Sequence, residues 1–182
     1  MNKYIQSVVV VSVFSVISLC AAQAADKTTV SGGTIQFMGS VVDAPCAVNA
    51  DSENGVIRLD QVTLESMGEK GEPSGQAKAF NIVLDDCDVT TYANATVMFN
   101  GQSTPALAGA LANTAGADAA SGVALELFGP DGNALNLGTD SSKQVLIAGT
   151  NKIPMSVDYV KTGEKLKSGA VESVAIFQIT YF

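Results

Sequence analysis

The sequence contains no histidine and no tryptophan, only three cysteines, and few charges, with Asp, Glu, Lys and Arg making up 15% of its 182 residues. Without histidine, Ser-His-Asp hydrolysis, Cys-His proteolysis and His-bound zinc are excluded, because each relies on imidazole as base or ligand. A Gly-rich phosphate loop and a nucleophile elbow are missing as well, so nothing in the chain supports an enzyme or calls for a cofactor. Basic residues are scarce, 10 Lys and Arg against 18 Asp and Glu, which sets the net charge at −8. A surface of that sign repels a phosphate backbone over a Debye length and argues against a nucleic-acid partner.

No apolar run reaches the roughly 20 residues a membrane-spanning helix needs. The longest, Val8 to Leu19, is broken by serines, follows Lys3 and precedes Ala22-Gln23-Ala24. A basic start, a short apolar core and small residues at the −3 and −1 positions describe a secretory leader over 1–24, cleaved after Ala24. A retained anchor is disfavoured by the length of the run, and lipid attachment at Cys20 by the bulky Leu19 before it. Removing the leader takes away Lys3 and no acid, so residues 25–182 carry a net charge of −9. They also keep just two cysteines, Cys46 and Cys87, in a compartment where thiols oxidise. A Cys46–Cys87 disulfide is therefore expected, with two buried free thiols as the alternative. Closing a loop of about 40 residues contributes roughly 4 kcal/mol in the chain-entropy model.

The exported chain reads as strands, with no helix of useful length. Residues 33–42 (GTIQFMGSVV) place Gly33, Ile35, Phe37, Gly39 and Val41 on one face by the period of two. Further strands are predicted over 56–59, 80–84, 95–99, 144–147, 153–159 and 171–182, with a turn at Asn100-Gly101. The clearest hairpin joins VALELF (123–128) to ALNL (134–137) through Gly129-Pro130-Asp131-Gly132-Asn133. There proline presets the turn and glycine takes positive φ. Residues 65–79 and 105–121, polar or built of alanine and glycine, read as loops. Short strands separated by Gly, Asn, Asp and Ser argue for an antiparallel sandwich.

Two local patterns have a chemical reading and a plainer one. Asp85, Asp86 and Asp88 flank Cys87 and offer oxygens to a calcium ion, but they lack the ligand count of such loops and are read as a solvated turn. Asn94-Ala95-Thr96 fits an N-glycosylation pattern and is read as a chance match. No metal site is expected.

The ends of the exported chain carry the functional signal. The last strand alternates Ala175, Phe177, Ile179 and Tyr181 with Val174, Ile176, Gln178, Thr180 and Phe182. Apolar strands at both ends expose edges that invite pairing with another chain. At this point the residues resemble a family, the pilin subunits of chaperone-usher fimbriae, near the major shaft subunits of type 1 and P-type pili. GTIQFMGSVVDAPC (33–46) resembles the family's donor segment running into its first cysteine. FNIVLDDCD (80–88) resembles the strand with the second, and GAVESVAIFQITYF (169–182) its C-terminal pattern, with Gly169 fourteenth from the end and a penultimate Tyr181. Phe182 departs from that pattern, which more often ends in a polar residue.

The resemblance implies an all-β, incomplete immunoglobulin-like sandwich of six strands, the seventh supplied by a donor strand. It divides the chain into a leader (1–24), an N-terminal donor extension (25–42) and a pilin domain (43–182). Ile35, Phe37, Gly39 and Val41 become donor positions. Gly169, Ala175, Phe177, Ile179 and Tyr181 belong to the acceptor groove and chaperone-binding strand. The implied partners are neighbouring pilin subunits, a periplasmic chaperone and an outer-membrane usher, and the implied destination is a cell-surface fimbrium that supports adhesion. A minor adaptor subunit and a monomeric exported immunoglobulin-like binding module are the competing readings.

Overall fold

Where apolar and polar residues alternate, an extended chain presents one oily face, and two such faces laid together exclude water. The computed structural model describes residues 30–182, apart from Asn54 and Glu164. The leader expected over 1–24, with Cys20, and residues 25–29 of the extension lie outside the described residues. The described chain falls into two units, divided between Ser40 and Val41.

The larger unit is built almost wholly of strands: β1 Ala47–Val48, β2 Lys78–Cys87, β3 Asn94–Gly101, β4 Ser103–Thr104, β5 Leu107–Ala112, β6 Val123–Phe128, β7 Ala134–Leu135, β8 Gln144–Val145, β9 Gly149–Lys161 and β10 Ala175–Tyr181. Six of these, β2, β3, β5, β6, β9 and β10, have six or more residues. One helical turn, α1, covers Ala50–Glu53. All ladders are antiparallel and form two sheets, β1-β2-β9-β6-β5-β4 with β7 added to β6, and β10-β3-β8. Ile82 and Leu84 of β2, Ile153, Met155 and Val157 of β9, and Ala95, Val97 and Phe99 of β3 meet in one core. Leu84, Val97 and Ile153 are fully buried, each contributing about 1.5–3 kcal/mol relative to exposure.

The Cys46–Cys87 bond ties the start of this unit to the end of β2. Leu84 and Cys87 both face the core although they are three positions apart, which a regular strand forbids. An irregularity between them resolves the conflict, with Asp86 at φ 53 as the extra residue, a conformation aspartate tolerates better than most side chains. The acidic trio serves this turn: Asp85 accepts from Asn49 and Thr150 at 2.7 and 2.9 Å, and Asp88 accepts from the Thr90 amide at 2.9 Å. These bonds hold both carboxyls below the ordinary carboxylate range.

Four expectations are corrected. Residues 33–42 form no strand and are exposed, because alternation creates an apolar face but a ladder needs a neighbouring edge. Residues 56–59 form no strand either. The expected loop 105–121 contains β5, whose Leu111 joins the core and whose Ala110 packs with Ala124 and Val160. Asn100-Gly101 does not turn; β3 runs through it, paired with Ile176 and Ala175. The expected hairpin forms as read, with Gly132 at φ 76 and the Gly129 amide donating to the Asn133 carbonyl at 2.9 Å.

Candidate functional site

The last strand is, among the described residues, paired on one side only. Among the described residues β10 has a single neighbour, β3, in a continuous register from Ala175↔Gly101 to Tyr181↔Ala95. The direction of its free groups follows from one observation. Phe182 and Asn94 exchange two backbone hydrogen bonds, each 3.0 Å. In an antiparallel pair such exchanges recur every second residue, so Thr180, Gln178 and Ile176 bond to β3. The amides and carbonyls of Ala175, Phe177, Ile179 and Tyr181 therefore point to the open edge.

The same four residues turn their side chains to the core. Each is half-buried and packs on the core cluster, whereas Ile176 on the opposite face is 69% exposed. Phe177 is tilted against Phe99 with ring centroids 6.2 Å apart, and Phe99 meets Phe80 edge to face at 6.4 Å. Half-burial keeps the Tyr181 phenol above its ordinary pKa, hence neutral and suited to an apolar lining.

Beside this edge the sandwich is hollow. A cavity of about 220 Å³ is floored by Phe80, Ile82, Phe99, Leu125, Leu127 and Val157, with Ala175 and Phe177 on one side and Ile57 and Leu59 on the other. Two adjoining hollows of about 460 and 600 Å³ extend it past Tyr159, Val171 and residues 55–64. The groove thus runs between β10 with its lead-in, 168–174, and the unladdered segment 55–63. Leu59 and Val62 of that segment pack on the core, and Asp60 is fixed by the Tyr159 hydroxyl and the Lys78 ammonium.

The residues singled out from sequence fall into three places. Ala175 and Phe177 line the groove, and Ile179 and Tyr181 continue its face along β10 beyond the lining of these hollows. Gly169 lies before β10 and lines the second hollow; a Cβ there would sit 2.4 Å from the Asp118 carbonyl and 2.5 Å from the Ala120 nitrogen. Its contribution is backbone approach, letting Ala170 exchange 2.8 Å bonds with Asp118 and Ala120. Ile35, Phe37 and Gly39 belong to the smaller unit, where Ile35 is 77% and Phe37 88% exposed; Val41, just beyond the division, is also fully exposed. The second wall, with Ile57, Asp60 and Val62, and its anchors Tyr159 and Lys78 escaped the sequence reading. The apolar run Val56 to Leu59 was its one visible signal.

The arrangement suits the docking of an extended segment. It offers a row of unsatisfied backbone donors and acceptors above an oily slot, which an extended segment with alternate apolar side chains satisfies on both counts.

The family model described as "Fimbrial protein" matches residues 35–182. The chain is 40% identical to the type 1 fimbrial subunit of Klebsiella pneumoniae over 174 residues, covering 93% of this chain and 94% of the relative. It is 38% identical to the type-1 fimbrial protein A chain of Escherichia coli K12, covering 96% of each. Among solved structures, a subunit of a chaperone-usher pilus superposes with a TM-score of 0.68 at 25% identity, over 87% of this chain and all of that one.

Proposed function

Since the chain belongs to the fimbrial protein family and is a structural subunit of a pilus that assembles with other pilin subunits, we propose that its groove is the acceptor and its N-terminal extension the donor of a strand exchange that links one subunit to the next. The carrying observation is the free edge of β10, where the four residues whose backbone groups face the open side also turn their side chains to the core, two of them, Ala175 and Phe177, lining a hollow. The extension, residues 25–42, has the complementary form: Ile35, Phe37, Gly39 and Val41 recur every second residue and are exposed. An extended segment laid along β10 completes the ladder while its alternate side chains fill the slot.

An open groove is also a hazard, because an unpaired apolar edge templates aggregation. The subunit is accordingly exported by its leader (1–24), covered in the periplasm by a strand lent by a chaperone, and delivered to the outer-membrane usher. There the extension of the next subunit replaces the lent strand. The product is an extracellular fimbrium, and a closed monomeric module, whose last strand has partners on both sides, does not fit the open edge.

The test is to produce residues 25–182 with and without a synthetic peptide of residues 33–42. Without the peptide the chain should aggregate or self-associate; with it, a soluble complex of defined mass should form. A stable monomer that ignores the peptide would sink the proposal.

A further inference from the structure

We infer that Tyr159 and Lys78 position the second wall of the groove by pinning it at one residue, Asp60, and that this pin governs how readily the groove accepts a strand. The inference rests on the groove reading above. Among the described residues, 55–62 belong to no ladder and make no backbone–backbone hydrogen bond. The wall is seated by apolar contacts of Leu59 and Val62 with the core, and such contacts resist lifting far better than sliding, since the hydrophobic effect is non-directional. Direction comes from Asp60 alone. Its carbonyl accepts the Tyr159 hydroxyl at 3.0 Å, and its carboxylate accepts the Lys78 ammonium at 2.9 Å.

The two anchors differ in strength. Both stand on the core-facing side of the β2-β9 pair, where Lys78 lies opposite Val157. The ion pair is exposed, at 42% and 72%, and contributes little. Tyr159 is nearly buried, and burial with the nearby Asp60 and Asp158 charges raises its pKa, so the hydroxyl keeps its proton and donates at any physiological pH. A strand that bonds to an edge on each side needs those edges roughly 9–10 Å apart, twice the inter-strand spacing. A wall that drifts inward closes the hollow, and one that drifts outward leaves the incoming strand bonded to β10 alone. The pin is therefore a positioning device, and Tyr159 is its main residue.

The wall carries its own reporter, the exposed tryptic site after Arg58. Exported chain and its Tyr159→Phe and Lys78→Met variants, freshly refolded and dilute enough to stay unassociated, are compared by mass-resolved trypsin cleavage and by affinity for the 33–42 peptide. Losing the hydroxyl should speed the Arg58 cut about five-fold and weaken peptide binding about five-fold, the worth of one hydrogen bond. Lys78→Met should change either by about two-fold or less, and nothing at high salt. A Tyr159→Phe chain cut at Arg58 at the parent rate overturns the inference. So does one cut faster at every site alike, which marks a weakened fold in place of a released wall. If the parent chain binds no peptide, the groove reading fails while the Arg58 rates still decide whether the pin exists.

Discussion

Placing a carboxylate at each end of the exported chain separates giving a strand from receiving one. Ile179 is half-buried on β10 opposite the fully buried Val97. Roughly half of the 1.5–3 kcal/mol of a buried isoleucine, about 1 kcal/mol, is thus still to be gained when a donor covers it. Ile179→Asp forfeits that gain and adds the several kcal/mol of desolvating an unpaired charge. The sum, about 4 kcal/mol or more, is a thousand-fold or greater loss of strand affinity. Phe37 is 88% exposed in the unpartnered chain, so Phe37→Asp leaves the fold untouched and acts only when the extension is used. The expected outcome is asymmetric. Ile179→Asp chains receive no strand but still donate; Phe37→Asp chains receive and do not donate; a mixture of the two stops at the heterodimer. Mass photometry of refolded mixtures reads this directly, with circular dichroism of each variant alone as a check on folding. Fibres from Phe37→Asp alone would refute the donor assignment, and identical failure of both variants at peptide capture would show that both ends are ordinary core strands.

Two further predictions concern stability. Gly169→Ala drives a methyl into the backbone of 118–120, where no flexible side chain can yield, and disrupts the paired 2.8 Å bonds of Ala170. Denaturant melts of the peptide-bound chain should show a loss of about 2–4 kcal/mol, against less than about 0.5 kcal/mol for Gly39→Ala, which has open space around it. Equal effects would discard the close-approach argument. Glu126 lies opposite the buried Asp158 on the β6-β9 ladder, and burial, then the Asp158 charge, raises its pKa above 4.5. A raised folded-state pKa means a contribution present below the unfolded value and lost as pH rises through the folded one. Glu126→Gln should therefore stabilise the chain at pH 7 by about 0.5 kcal/mol or less, with the advantage vanishing below pH 4.5. An advantage that persists in acid contradicts the charge argument.

Alternation was readable wherever one face of a strand meets the core, as at Phe80, Ile82 and Leu84, or Ile153, Met155 and Val157. The turn chemistry of 129–133 and the cysteine pair were readable for equally local reasons, a proline-glycine turn and an oxidising compartment. β5 was hidden because its buried residues, Ala110 and Leu111, are adjacent and sit among alanine and glycine, a run that carries no period to detect. The Asp86 irregularity was hidden too, since strict period-two counting puts Leu84 and Cys87 on opposite faces.

The most informative failure is at residues 33–42, which share their pattern with 175–181 yet form no strand where the latter do. Periodicity records which side chains seek burial; it is silent on whose surface buries them. At 175–181 the core of the same chain answers on one edge, through β3, and among the described residues leaves the other edge unpaired. At 33–42 no ladder forms among the described residues, although the segment carries as strong an apolar face. Among the described residues, then, one edge and one segment with the same period-two apolar pattern are both left without a ladder partner. On the strand exchange proposed above, a second copy of the chain supplies what each of the two lacks.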